Sequence, residues 1–297
     1  MANETAVVLS CHGTVEKVED IPAFVQNIRR GRPAPDEVIH EVTERFEEIG
    51  GSPLMRISHA QAAALEARLG LPCRAAARLW HPYPSEVLKA LHAEGIRRVV
   101  SLPLAPQSVQ IYNKVVVEAA AELGIEVVEA PSYGEEPSLV HAFADAIVDA
   151  HGQFDDTSKL ALVLSAHSLP TRVIAMGDPY EDQFRAMANA VVAELDRREV
   201  HRAETRIAFQ SQGMGGGDWI GPDLDETFAR LREAGVERLL MAPIGFVAEH
   251  VETLYDIDIE AKENATKLGF NQLVRMRPMD TRDGFIDTLE TVARRLL

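Results

Sequence analysis

Cysteine is almost missing from this chain. Cys11 and Cys73 are the only two in 297 residues, and they form no CxxC pair. A disulfide framework and a thiolate-built zinc or iron–sulfur site are therefore excluded as organising features. No apolar run approaches the ~20 residues that cross a bilayer, and no secretory signal pattern opens the sequence, so a cytoplasmic location is expected. Positive charge is in deficit: 30 Lys and Arg stand against 46 Asp and Glu, a formal net charge of −16. Such a surface repels phosphate backbones, which argues against nucleic acid as a partner. The same surface would mildly concentrate divalent cations, or serve solubility alone. Nucleotide fingerprints are lacking too. There is no GxGxxG after a strand, no GxxxxGK[ST], and no GxSxG elbow around Ser165 or Ser168. The glycine-rich run GMGGGDW at 213–219 precedes no helix whose N-terminus could take a phosphate, and it reads as a turn.

What is present is an alternation. Short β-branched or apolar runs (TAVVLS, CRAAARLW, RRVVSLPL, IEVVEA, KLALVLSA, TRIAFQSQ, RLLMAPIG and NQLVRM) are separated by helical patterns such as DEVIHEVTERFEEIG, HAQAAALEARLG, YNKVVVEAAAELG and DETFARLREAG. Several of the helical patterns end on Gly, as a C-cap does. Alternation of this kind predicts an α/β fold of parallel sheets flanked by helices. One segment echoes another: AVVLSCHGTVEKV near the start and ALVLSAHSLPTRV, 155 residues later, both read as a buried strand ending in Leu-Ser-x-His. The chain is accordingly read as two similar halves, 1–150 and 151–297. His12 and His167 then both fall at carboxyl ends of strands, where open α/β sheets place their ligands.

A second pattern lies in EHVETLYDIDIE, residues 249–260. Glu252, Asp256 and Glu260 follow one another at four-residue spacing, which on an α-helix stacks them along one face. Like charges so placed destabilise a helix by roughly 0.2–0.5 kcal/mol per pair. A solvated helix face is one account of the pattern. His250 stands beside its first rung.

The sequence resembles the ferrochelatases, which insert Fe²⁺ into a porphyrin. The resemblance is carried by SAHSLP (165–170), GDPY (177–180), FQSQG (209–213), WIGPD (219–223) and PIGFVAEHVETLYDIDIEAKE (243–263). Earlier in the chain it is carried by IRRGRP (28–33), RFEEIGGSPL (45–54) and SVQIYNK (108–114). It implies two similar α/β halves flanking a porphyrin cleft. It implies that His167 and Glu252 form the catalytic pair at the metal-insertion centre. Asp256 and Glu260 would continue behind that pair as metal-handling residues, passing metal inward or protons outward. Insertion of M²⁺ into a free-base porphyrin releases two pyrrole protons, and an imidazole can take one up near neutral pH. Carboxylate and imidazole ligands also hold Fe²⁺ reversibly.

By the same resemblance the porphyrin contacts are His12, Arg29, Arg30, Arg32, Ser52, Tyr112 and His250. The stretch IRRGR is similar to the branch of the family that uses coproporphyrin III, where basic residues meet the extra propionates. Coproporphyrin III is therefore the expected substrate ahead of protoporphyrin IX. Two departures stand out: His12 replaces the Tyr common in that branch, and LAPQSVQIYNK is several residues shorter than its counterparts. Fe²⁺ is expected as substrate, with no cofactor required. The expected state is a monomer that passes product to a haem-accepting protein. Two rival readings are a sirohydrochlorin-type cobalt or iron chelatase and a non-catalytic haem carrier.

Overall fold

The computed structural model describes residues 4–213 and 217–297. Part of the GMGGGDW run, residues 214–216, lies outside the described residues. Among the described residues eight strands form, one at each expected run: β1 Thr5–Cys11, β2 Cys73–Ala77, β3 Arg98–Pro103, β4 Glu126–Glu129, β5 Leu160–His167, β6 Glu204–Gln210, β7 Arg238–Ala242 and β8 Gln272–Arg275. They make two all-parallel four-stranded sheets, ordered β2-β1-β3-β4 and β6-β5-β7-β8. The two orders are the same pattern. The Leu-Ser-x-His echo is therefore structural, since β1 and β5 occupy the same inner position in their sheets.

Burial explains why these runs become strands. β1 and β5 are covered on both faces, so they read as continuous apolar runs rather than alternating ones. In the first sheet Ala6, Val8 and Val99 pack against Leu88, Leu91 and Val116 from flanking helices. In the second, Ala161, Val163 and Met241 pack against Phe228, Leu231 and Ile257. The edge strands β4 and β8 are only half-buried or exposed.

The compact units differ from halves divided at residue 150. One unit comprises Met1–Tyr133, Ala248–Val251 and Asp280–Leu297; the other comprises Gly134–Val247 and Glu252–Met279. The helix Pro137–His151 thus belongs with the second sheet. The C-terminal helix Asp283–Leu296 belongs with the first, where Arg98 donates to the carbonyls of Leu296 and Leu297 and Gln61 donates to that of Asp280. Among the described residues no helix is long and apolar enough to cross a membrane.

Candidate active site

In the second unit β5 delivers His167 at its last position, half-buried. The turn after β7 lies directly on β5 there, with the Gly245 N–H donating to the Ser165 carbonyl at 3.0 Å. A Cβ on Gly245 would stand 2.4 Å from that of Ala166, so only the bare backbone fits this approach. The chain then runs into Val251–Leu254, a single α-turn that carries Glu252. The result is a pair: His167 Nε2 lies 3.5 Å from Glu252 Oε1, with the two side chains 34% and 27% exposed.

The hydrogen bonding of the ring decides what the pair can do. His167 Nδ1 lies against the carbonyl oxygen of Ser168. A carbonyl can only accept, so Nδ1 carries the hydrogen, and in the neutral ring Nε2 is left with its lone pair. That lone pair faces a carboxylate oxygen, another acceptor. Two acceptors at this separation are satisfied by something placed between them: a proton or a cation.

Neighbouring groups hold both members. Tyr180 Oη donates to the His167 carbonyl at 2.7 Å. Gln210, buried and paired in register with His167, accepts from Ser165 Oγ at 2.8 Å through Oε1. Its Nε2 donates to the Glu252 carbonyl at 2.9 Å. The Ser168 N–H in turn donates to the Gln210 carbonyl at 2.7 Å.

The acid ladder is not carried on one continuous α-helix. After the turn at Val251–Leu254, residues Asp256–Ala261 form a π-helix, followed by an α-helix at Lys262–Lys267. The amide of Glu260 donates to the Tyr255 carbonyl, the i→i−5 bond of the wider turn. An α-turn carries residue i+4 about 40° past residue i; the wider π-turn carries it less far. The change of turn therefore offsets the sideways drift that a plain α-helix would give the three carboxylates. Ile257 and Ala261, on the adjoining face, are buried in the core and anchor the segment. Along the ladder Glu252 is half-buried, Asp256 is 7% exposed, and Glu260 is exposed. Among the described residues no three His, Cys, Asp or Glu side chains gather closely enough to hold a metal ion. The four residues expected to handle metal thus form one pair and two further rungs.

Every residue expected to meet the porphyrin falls in the first unit. His12 follows β1 and is exposed, next to Gly13, whose φ of +88° and near-contact with Ala77 admit no side chain. Arg29 caps the helix Ile21–Ile28 and is half-buried, while Arg30 and Arg32 are exposed in the loop that follows. The loop is tied by main-chain acceptors: Arg29 Nε donates to the Pro33 carbonyl and Arg32 Nε to that of Arg29, both at 3.2 Å. The helix before it is docked by Phe24 edge-on to Trp80, and by Asn27 donating to Tyr83 Oη at 2.9 Å. Tyr112, on the helix Val109–Ala121, is half-buried, as is His250, whose Nδ1 meets the Ala248 carbonyl at 3.1 Å.

Ser52 stands just before the helix Leu54–Leu69, which begins without a side-chain cap. Its hydroxyl is buried and has no partner. Orphan amides and a positive helix end beside an unpaired hydroxyl suit a carboxylate. Thr14 is a residue that sequence reasoning missed: it is 4% exposed and its hydroxyl too lacks a partner. Its place two residues after His12 was the available signal. Gln210, Ser211 and Tyr180 were also missed as individuals, although FQSQG and GDPY contain them.

The chain matches the family model described as Ferrochelatase over residues 4–297. It is 36% identical to the ferrochelatase of Acidobacterium capsulatum over 304 residues, covering 95% of this chain and 91% of the relative. It is 35% identical to the coproporphyrin III ferrochelatase 1 of Bacillus anthracis over 308 residues, covering 98% and 97%. In fold it is similar to SirB from Bacillus subtilis, solved with Fe³⁺, at a TM-score of 0.62 and 12% identity, covering 99% of this chain and 96% of that one. CbiX, the terminal enzyme for biosynthesis of sirohaem in denitrifying bacteria, gives a TM-score of 0.58 at 13% identity, covering 99% and 100%. The strand-end histidine paired with a carboxylate, the doubled parallel sheet and the full-length match converge: the chain belongs to the ferrochelatase family of metal-chelating lyases.

Proposed function

We propose that this ferrochelatase inserts Fe²⁺ into coproporphyrin III in preference to protoporphyrin IX, as a step of haem biosynthesis in the cytoplasm. The observation that carries the metallation chemistry is the acceptor–acceptor pair of His167 Nε2 and Glu252 Oε1 at 3.5 Å. Nε2 takes a pyrrole proton, and Glu252 compensates the charge that the ring acquires. Two protons leave for each ion inserted. Glu260, exposed at the outer end, takes up Fe²⁺, and Asp256 passes it to Glu252. Iron is substrate in this reading, and no resident cofactor is called for. Bending of the macrocycle toward the ion would draw roughly 1–5 kcal/mol from remote binding contacts.

The choice of porphyrin rests on Arg29, Arg30, Arg32, Ser52 and Thr14. Among the described residues no carboxylate forms an ion pair with any of the three arginines, so their charge is available to an anion. Most other arginines of the chain are paired, as Arg68 is with Asp283 and Arg275 with Asp258. Coproporphyrin III has four propionates and protoporphyrin IX two. Anaerobic insertion of Fe²⁺ into both porphyrins, side by side, tests the preference directly; faster turnover of protoporphyrin IX would reject it.

Replacing Arg29, Arg30 and Arg32 with Ala should raise KM for coproporphyrin III more than for protoporphyrin IX. Each charge-assisted contact is worth about 1.5–3 kcal/mol where shielded from water and less where wet. Equal effects on the two KM values would show that the cluster does not select. His12 supplies a separate test. If its imidazole ligates the product iron, the haem absorption spectrum changes in His12→Tyr, while an unchanged spectrum would place His12 outside the iron's coordination.

A further inference from the structure

The loop that carries Arg29, Arg30 and Arg32 takes its position from a short helix. Ile21–Ile28 has eight residues, well below the length at which a helix is stable alone in water. Its apolar face, Ile21, Phe24 and Val25, is buried with Val15 and Phe46. Apolar burial is non-directional, so hydrogen bonds to fixed acceptors set where the last turn ends. Asn27, one turn after Phe24 and next to the loop, makes them. Its Nδ2 donates to Tyr83 Oη at 2.9 Å and to the Leu79 carbonyl at 3.3 Å. Asn is a poor choice for a helix in propensity alone, and both of these bonds leave the helix.

The acceptors lead back to the strand-end histidine. Leu79, whose carbonyl receives Asn27, donates its own N–H to the His12 carbonyl at 3.0 Å. One residue therefore joins the His12 main chain to the last turn of the helix. That spacer is held in turn by its neighbours. The Arg78 N–H donates to the Cys11 carbonyl at 2.9 Å, the Ala77 N–H to the Pro82 carbonyl at 2.7 Å, and the Tyr83 N–H to Glu86 Oε2 at 2.7 Å. From this run of bonds we propose that Asn27 is a positioning residue for porphyrin recognition. It fixes the spacing between His12 and the arginines, so that the charged loop meets the carboxylates of a macrocycle placed at His12. The inference rests on the reading of Arg29, Arg30 and Arg32 as propionate contacts.

The test uses the full-length enzyme with coproporphyrin III and Fe²⁺ varied separately. Asn27→Leu is the informative variant, because it keeps the side-chain size, removes both bonds and improves helix propensity. Its KM for coproporphyrin III should rise ~2–10-fold, which corresponds to the net worth of one hydrogen bond. KM for Fe²⁺ and the melting temperature should stay at the parent's values. Asn27→Ala, a second way of removing the amide, should give the same split between the two KM values. A parent-like KM for coproporphyrin III in both variants, beside an impaired Ala variant of the three arginines, overturns the role of Asn27 and leaves the basic loop as the propionate contact. A silent variant of the arginines overturns both. Equal rises in the two KM values with a lowered melting temperature reduce Asn27 to a structural residue.

Discussion

In His167→Ala, Fe²⁺ insertion falls by ~10²–10⁴-fold, the range that a positioned proton acceptor contributes. The fold survives. β5 is held by main-chain pairing to β6 and β7, and the lost imidazole is one-third exposed, so no core cavity opens. Tyr180 and Ser168 are held through main-chain carbonyls of His167 and Gln210, which the substitution leaves in place. Porphyrin affinity should also persist, because the residues proposed to grip the propionates lie in the other unit. Anaerobic metallation measures the first effect, porphyrin fluorescence titration the second, and thermal unfolding the third. Turnover near that of the parent would remove His167 from the mechanism. A collapse in melting temperature would make its role structural.

The sequence carried the sheets well because the physics there is local. A strand covered on both faces must be apolar throughout, and TAVVLS and KLALVLSA show that without any knowledge of the fold. The echo around His12 and His167 likewise held, since both strands take the same place in equivalent sheets. The resemblance led to the pairing of His167 with Glu252; spacing alone could not, because the two are 85 positions apart in sequence. The change from α- to π-turn was not legible. Whether the Glu260 amide bonds to residue 256 or 255 depends on how Ile257 and Ala261 seat in the core, and those partners come from distant strands. Gln210 was hidden for a similar reason, since its reach to Glu252 follows from the β5–β6 register. The place of Asp283–Leu296 in the unit of the first sheet was not legible, because its apolar stripe does not announce which of two like sheets it covers.

Glu252→Gln should be nearly as damaging as loss of His167, and for a reason specific to the pair. In the parent, the Nε2 lone pair of the neutral ring faces a carboxylate oxygen, and a proton or an ion can be shared between the two. Glutamine keeps the length and shape of the side chain but offers an N–H. That N–H can donate to Nε2, so the pair closes on itself and neither accepts a proton nor passes a cation. The new hydrogen bond contributes about 0.5–1.5 kcal/mol, and one like-charge neighbour is removed from the ladder. The melting temperature should therefore equal or exceed that of the parent, with the Gln210 bond to the residue 252 carbonyl retained. Turnover should fall ~10²–10⁴-fold, and excess Fe²⁺ should not restore it, because the defect lies at the proton acceptor as well as in the path. Combining it with His167→Ala should add little, as expected of groups that act as one unit. Recovery of turnover at high Fe²⁺ would confine Glu252 to metal delivery, and turnover near the parent's would break the pair as the site of chemistry.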